Sequence, residues 1–175
     1  MSVMGIDPSL ASTGIVVLTG TAPLSKAITT NTSGVARLAV LEYAVATFAE
    51  YHLPELTAIE GYAFGARGAA MFSLGELGGV LRLLFHRHGL RFIDVPPSQV
   101  KKFATGRGNA KKDEIMLAVY KRWGVEFKTS DEADAYVLAR IALALTEGDD
   151  KLTEFQREVI KSLSKEMAGG GTDPH

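Results

Sequence analysis

Residues 3–18 read VMGIDPSLASTGIVVL, two apolar runs joined by a short turn that contains Pro8 and Ser9. Continuous β-branched runs bounded by proline and glycine are typical of strands that are buried on both faces of a sheet. The stretch therefore predicts a first strand that ends at Asp7 and a second strand over residues 13–19. The short connection predicts that these two strands are antiparallel.

Outward from this stretch, the sequence predicts three more strands and six helices. The strands are expected over residues 26–30, 56–59 and 91–95. The helices are expected to begin after Ser33 and to cover in addition residues 69–88, 98–104, 110–123, 130–146 and 152–167. The apolar residues of the first helix step by three or four and predict one buried stripe: Val35, Leu38, Leu41, Val45 and Phe48.

This order of elements predicts an α/β domain with a mixed sheet. The first three strands have short connections, which favour antiparallel pairing. The last two strands need helical crossovers, so each is expected to run parallel to its neighbour. The predicted fold is a five-stranded mixed sheet with helices on both faces.

Length and composition describe one ordinary globular domain. The chain has 175 residues, of which 46% are hydrophobic and 22% are charged. We expect a single domain over residues 1–167, which ends in an amphipathic helix over residues 151–167. That helix either packs on the core or extends a contact between subunits. Residues 168–175 are rich in glycine and are expected to form a flexible tail.

The charge balance and the absence of cysteine exclude several classes of protein. Nineteen Lys and Arg against 20 Asp and Glu give a net charge of −1, which excludes a histone-like protein but leaves room for a local basic patch. With no cysteine, disulfides, thiolate zinc sites and cysteine nucleophiles are excluded. The apolar stretches are shorter than the ~18 residues of a membrane span, and no signal peptide is apparent. We expect a cytoplasmic protein with no membrane partner.

Four acidic residues occupy positions that the predicted topology brings together. Asp7 and Glu60 end two strands that are expected to be parallel neighbours, at the sheet edge where open α/β folds bind ligands. Asp131 and Asp134 are three residues apart at the start of a helix, so they project from the same side. Asp134 is also in line with the apolar stripe of that helix, where an acid is costly unless a cation neutralises it.

Asp7, Asp131 and Asp134 also have purely structural interpretations, and Glu60, which precedes a glycine, is ambiguous by itself. Thr129 and Glu132 have the spacing of a capping box, and acids in a first helical turn are favoured by the helix dipole. Asp7 before Pro8 could form an Asx-turn. Together the four acids favour an all-oxygen site for Mg²⁺ or Mn²⁺, because hard cations select such ligands.

These acidic blocks resemble a known family. Gly5-Ile6-Asp7-Pro8-Ser9, Ile59-Glu60 and Asp131-x-x-Asp134 are similar to the motifs of the RuvC Holliday junction resolvases, which have the RNase H-like fold. Residues 99–112, QVKKFATGRGNAKK, resemble the basic loop and helix of the same family. The order and spacing of the blocks agree over about residues 3–145.

The resemblance implies a structure-selective endonuclease that acts as a homodimer on branched DNA. It would cut a four-way junction by paired symmetric nicks that leave 5′-phosphate and 3′-hydroxyl ends. The implied catalytic and metal-binding residues are Asp7, Glu60, Asp131 and Asp134, with two Mg²⁺ or Mn²⁺ ions in each active site. Such a pair of ions would activate water and stabilise the charge on the attacking and leaving oxygens.

A basic segment supplies candidate DNA contacts. Five cations and no acid lie between Ser98 and Lys112: Lys101, Lys102, Arg107, Lys111 and Lys112. Glycines flank Arg107, and a helix start disfavours cations such as Lys111. The resemblance aligns Lys101 and Lys112 with DNA-contacting lysines, whose contacts give salt-dependent affinity. The alternative is an ordinary solvated charged face.

The segment after Glu60 and the next helix supply two further candidates. Tyr62 and Phe64 lie in a glycine-rich stretch and either pack on the core or stack on an unpaired base at the crossover. Gly75 and Gly79 in the helix over residues 69–88 permit a close approach by another element. The resemblance implies that this helix forms the dimer interface, although packing on the sheet explains its leucines equally well.

Other functions remain open at this point. A related nuclease could act on flaps, forks or RNA–DNA hybrids with the same metal chemistry, and a non-catalytic protein could bind junctions. A kinase-like ATPase would need two lobes, and 175 residues supply one. The residues do not identify a branch-migration partner, a preferred metal or a preferred cleavage sequence.

Overall fold

A computed structural model describes residues 1–20, 22–62, 69–148 and 150–169. Its single sheet has five strands in the order β3-β2-β1-β4-β5. The strands are β1 (Val3–Asp7), β2 (Thr13–Leu18), β3 (Leu24–Ile28), β4 (Leu56–Glu60) and β5 (Phe92–Val95). β1 is antiparallel to β2 and β2 to β3, whereas β1–β4 and β4–β5 are parallel. The predicted mixed sheet is confirmed.

Helices cover both faces of the sheet, as predicted. They are α1 (Gly34–His52), α2 (Ala69–Arg87), α3 (Pro97–Thr105), α4 (Lys112–Trp123), α5 (Ser130–Glu147) and α6 (Glu154–Gly169). Because side chains alternate along a strand, the two faces of β1 belong to different cores. Met4 and Ile6 pack with α1 and α2, whereas Val3 packs with the other four helices.

Two local predictions at the start of the chain need correction. The third strand covers Leu24–Ile28 rather than residues 26–30, because its pairing with β2 from Thr13↔Ile28 to Val17↔Leu24 sets its ends. Val35 is 81% exposed and does not belong to the buried stripe of α1. The buried residues of that helix begin one and a half turns later, at Leu41. Ser33 occupies the N-cap position, but its side chain makes no capping hydrogen bond.

α6 packs on the core, which is one of the two roles considered for it. Val159 and Leu163 are buried with residues of α3 and α5. The helix ends at Gly169, so residues 168 and 169 of the predicted tail belong to α6, and residues 170–175 lie outside the described part. In the described ranges, every helix is too short or too polar to cross a membrane.

α5 is the central helix of the larger core and lies directly against the sheet. A Cβ atom at Gly5 would be 2.0 Å from the carbonyl oxygen of Ala135, and one at Gly14 would be 2.1 Å from that of Asp131. Both glycines are therefore required for the close approach of α5 to β1 and β2. This approach places the beginning of α5 next to the carboxyl end of β1.

Candidate active site

Asp7 and Glu60 are brought together by the parallel pairing of β1 with β4. The register pairs Ile6 with Ile59, so the two acids that follow lie side by side at the carboxyl edge of the sheet. A hydrogen bond between the two carboxyl groups raises the pKa of Asp7 and lowers that of Glu60. Two carboxyl groups can form such a bond only when one of them holds a proton.

The beginning of α5 contains three acids with different roles, Asp131 and Glu132 in the first turn and Asp134 in the next. Glu132 forms the predicted capping box, because its carboxylate accepts from Thr129 N at 3.2 Å and its own N–H donates to Thr129 Oγ1 at 3.2 Å. Glu132 also accepts a hydrogen bond from Ser25 Oγ at 2.9 Å. The helix start is thus satisfied by Glu132, which leaves Asp131 and Asp134 free to face the sheet edge.

The four candidate acids lie close enough for their charges to affect one another. Burial, followed by the charges of Glu60 and Asp131, raises the pKa of Asp7 well above its ordinary value. Burial and the charge of Asp134 raise the pKa of Glu60 to about 7. Burial and the charge of Asp7 raise the pKa of Asp134 to about 7. The structure therefore brings all four sequence-predicted acids together, and they repel one another when ionised.

Lys112 is the basic residue in closest contact with this cluster. Its Nζ atom lies 3.3 Å from Asp131 Oδ1. Although partial burial acts in the opposite direction, the hydrogen bond and charge of Asp131 raise the pKa of Lys112. The charges of Lys101 and Lys112 also lower the pKa of Glu60 and Asp134. Both lysines that the resemblance aligned with DNA contacts thus lie beside the acids.

The other predicted DNA contacts are more distant from the acids or engaged elsewhere. Lys102 forms a 2.7 Å ion pair with Glu158 of α6, and Arg107 forms a 2.5 Å ion pair with Glu114 of α4. Lys111 is exposed at the N-cap of α4, where its backbone N–H donates to Glu114. These three cations lie on the surface beside α3 and α4 and support the solvated-face interpretation as well as a DNA contact.

Tyr62 lies beside α2 and is 46% exposed. The guanidinium carbon of Arg82 is 4.4 Å from the centre of its ring. Sequence reasoning did not identify Arg82, although a charge between the buried Leu81 and Leu84 was a signal that could have found it. Phe64, the other aromatic candidate, lies outside the described residues.

The donor set fits a hard divalent cation. All four candidate ligands are carboxylates, and Asp134 Oδ1 is buried without a hydrogen-bond partner among the described residues. A cation would satisfy this oxygen and offset both the burial of the carboxylates and the repulsion between them, which together raise the three pKa values. In the described part of the chain, no three acids already converge as a closed metal site, so binding would require side chains to draw together.

The structure also contains a cavity away from the four acids. Its volume is about 590 Å³, and its lining includes Arg122, Trp123 and Arg140 near the C-terminal ends of α4 and α5. Along α5 its lining begins at Arg140, six residues or about 9 Å beyond Asp134. None of those acids lines it.

Comparison with known proteins agrees with this geometry. The family model described as "Crossover junction endodeoxyribonuclease RuvC" matches residues 3–146. The chain is also 30% identical over 174 residues to the protein of that name from Gloeobacter violaceus, with 94% of this chain and 97% of the relative covered. The chain belongs to the RuvC family. The resemblance seen in the sequence motifs is confirmed.

Other RuvC relatives support the same assignment. The chain is 34% identical over 148 residues to the RuvC of Rickettsia felis, with 79% of this chain and 95% of the relative covered. A structure of Thermus thermophilus RuvC in complex with Holliday junction substrate superposes with a TM-score of 0.69 at 25% identity, over 79% of this chain and 90% of that one. The segment matched to the RuvC family contains all four acids and both lysines beside them.

Proposed function

We propose that this chain resolves four-way DNA junctions by hydrolysing phosphodiester bonds with a divalent cation at the edge formed by Asp7, Glu60, Asp131 and Asp134. The observation that carries the proposal is the gathering of these four acids beside Lys112, together with the raised pKa values of Asp7, Glu60 and Asp134. Its substrate is inferred from the RuvC family and from the junction bound by the Thermus thermophilus relative.

The acids supply the chemistry of the site. Mg²⁺ or Mn²⁺, two ions per site, would lower the pKa of water and stabilise the attacking and leaving oxygens. Asp7 and Glu60 would hold the cation as carboxylates, with the proton of the hydrogen bond between them released to solvent. Asp134 presents its buried oxygen, and Asp131 presents the oxygen that Lys112 now contacts. Water would attack the phosphorus in line with the 3′-oxygen, so that a P–O bond forms to water, the P–O3′ bond breaks, and the ends are a 5′-phosphate and a 3′-hydroxyl.

Lys101 and Lys112 bind the backbone of the DNA strand next to the acids. If Asp131 held a cation, its contact with the Lys112 ammonium would weaken. That ammonium would then be available to a phosphate oxygen at the same edge, where a lysine acts as a point charge. Lys101 lies close enough to lower the pKa of Glu60 and Asp134, so it adds to the same positive field.

Two copies of the chain are proposed to act on one junction. One chain carries one such acid cluster, and a pair of symmetric nicks needs two clusters related by a twofold axis. α2 exposes apolar side chains that could meet in such a pair, with Phe72 71%, Met71 45% and Leu83 45% exposed. Because the substrate is DNA, the proposed place of action is the cytoplasm.

A panel of synthetic DNA substrates tests the proposal. A four-way junction with Mg²⁺ or Mn²⁺ is compared with linear duplex, a flap, a fork and an RNA–DNA hybrid. We expect paired nicks at symmetric positions on the junction alone, with ends that ligate directly. Asp7→Asn should bind the junction without cutting it. Equal cutting of a flap or hybrid, or cutting that survives in Asp7→Asn, would overturn the proposal.

A further inference from the structure

Arg82 in α2 connects three parts of the protein beside the acid cluster. Its guanidinium carbon lies 4.4 Å from the centre of the Tyr62 ring, and its Nη1 atom donates a 2.8 Å hydrogen bond to the carbonyl of Gly78. Its Nη2 atom forms an ion pair with Asp94 of β5. Tyr62 follows β4, so one side chain links the end of β4, the middle of α2 and β5.

The arginine is held firmly in this position. Its side chain is 16% exposed, and its Nε atom is buried without a hydrogen-bond partner among the described residues. A buried N–H donor without an acceptor lowers the stability of the protein. The position of Arg82 is therefore explained by its contacts with Tyr62 and Asp94. The ring remains 46% exposed, which leaves part of its surface available to a ligand.

Gly78 makes the arrangement possible. A Cβ atom at this position would lie 2.7 Å from Tyr62 Cε1 and 2.7 Å from Arg82 Nη1. The ring and the guanidinium therefore lie directly against the backbone of α2. Glycine weakens the interior of a helix, and here the close approach accounts for its presence.

The linked side chains border the proposed active site. A small cleft of about 60 Å³ is lined by Pro8, Glu60, Tyr62, Gly78 and Arg82 together with Gly61 and Leu74. The tyrosine ring is thus a wall of a cleft that also contains a carboxylate of the acid cluster. A nucleotide whose phosphate lies near Glu60 would lie against the Tyr62 ring.

We propose that Arg82 is a positioning residue for Tyr62, which it holds in a fixed orientation so that the ring supports the nucleotide next to the cleaved phosphate. The inference rests on the proposed function. Aromatic rings stack on any base, and a ring that is fixed beforehand improves the alignment of the reacting groups. Asp94 contributes by keeping the guanidinium over the ring.

The first test needs neither DNA nor metal. Ring signals of ¹³C-labelled tyrosine are recorded by NMR, and those of Tyr62 are assigned by their loss in Tyr62→Leu. We expect Arg82→Met to shift the Tyr62 signals and Arg82→Lys to shift them less. Arg87→Met, an exposed site on the same helix, is the matched control and should leave them unchanged. Unchanged Tyr62 signals in Arg82→Met would overturn the inference.

The second test measures cleavage of a four-way junction under single-turnover conditions with saturating protein and Mg²⁺. Arg82→Met and Tyr62→Leu should each lower the maximal rate about tenfold while junction affinity changes less than twofold. The double variant should be no slower than the slower single variant, and Arg82→Lys should recover part of the rate. Losses that multiply in the double variant would overturn the inference. If the unmodified chain does not cut the junction, the proposed function fails, and the NMR result still decides the role of Arg82.

Discussion

Gly5 in β1 and Ala135 in α5 are in backbone contact: a Cβ atom at Gly5 would lie 2.0 Å from the Ala135 carbonyl oxygen and 2.3 Å from the Ala139 nitrogen. The contact fixes how deeply α5 packs against the sheet. Asp7 lies two residues after Gly5, and Asp134 lies directly before Ala135. The same contact therefore sets the separation of two acids of the proposed active site.

Gly5→Ala should destabilise the protein strongly. The added methyl group meets helix backbone, which cannot rotate away, so α5 must shift from the sheet. We expect a loss of about 3 kcal/mol or more in the free energy of unfolding, measured by urea denaturation. Gly75→Ala is the control, because open space surrounds that position and alanine favours a helix. A Gly5→Ala protein as stable as the control would contradict this packing.

The strands that are buried on both faces of the sheet were predictable from their sequence. β1, β2 and β4 have continuous apolar runs, and all three lie where the pattern indicated. The edge strand β3 is exposed along most of its length, so its ends depend on pairing with β2 rather than on its own residues. Val35 follows the periodicity of α1 but lies beyond its buried contacts, which the helical pattern alone does not show.

The acid cluster was predictable because the strand topology brings its residues together. The ion-pair and ring-contact partners of other side chains were not predictable. Parallel pairing places Asp7 beside Glu60, and the helix start supplies the other two acids. The ion pair of Lys102 with Glu158 joins residues 56 positions apart, and no local spacing indicates it. The link from Arg82 to Tyr62 and Asp94 depends likewise on tertiary packing.

Asp134→Asn should stabilise the metal-free protein and abolish its activity. The substitution removes a buried charge that repels Asp7 and keeps a side chain of the same shape. We expect a higher melting temperature at pH 8 and a loss of at least about a hundredfold in junction cleavage. Glu55→Gln, at an exposed acid, is the control and should change neither quantity. Cleavage retained by Asp134→Asn would count against its role as a ligand.

The stability of the metal-free protein should fall as the pH rises. The folded state raises the pKa of Glu60 from 4.5 and that of Asp134 from 3.8, each to about 7. The folded state therefore holds protons that the unfolded chain has released. The resulting penalty is absent below pH 4 and complete above pH 7. We expect a loss of at least about 1 kcal/mol between pH 5 and pH 8 by urea denaturation.

Added Mg²⁺ should reverse this loss at pH 8, because a cation that binds only the folded state stabilises it. Removal of the ion with EDTA should restore the original value. Asp134→Asn should show a flatter pH profile and a smaller response to Mg²⁺. A profile that rises with pH in the metal-free protein would show that the acids are not mutually repelled.

Glu132→Ala should affect stability more than catalysis. Glu132 accepts hydrogen bonds from Thr129 and from Ser25 and does not belong to the acid cluster. Its loss removes the Glu132 half of the capping box and the contact with Ser25, while Thr129 Oγ1 still accepts from the backbone N–H of residue 132, and we expect a cost of about 1–2 kcal/mol by urea denaturation. Cleavage at a temperature far below the melting point should remain within about threefold of the unmodified chain, since no reacting group is removed. A collapse of cleavage in a folded Glu132→Ala protein would place this acid in the reaction instead.

Lys112→Ala and Lys102→Ala distinguish a DNA contact from a solvated charge. Lys112 lies 3.3 Å from Asp131 at the acid edge, whereas Lys102 is paired with Glu158 of α6 at 2.7 Å. A lysine that contacts a phosphate displaces counterions, so its loss should weaken junction binding and reduce the slope of log affinity against log salt by about 1.

We expect this reduction for Lys112→Ala, measured by fluorescence anisotropy at salt concentrations from about 50 to 200 mM. Lys102→Ala should leave the slope near that of the unmodified chain, because its charge is already engaged by Glu158 within the protein. Equal slopes for both variants would show that the two lysines do not differ in their contact with DNA. A larger reduction of the slope for Lys102→Ala would place the DNA along the surface between α3 and α6 instead of at the acid edge.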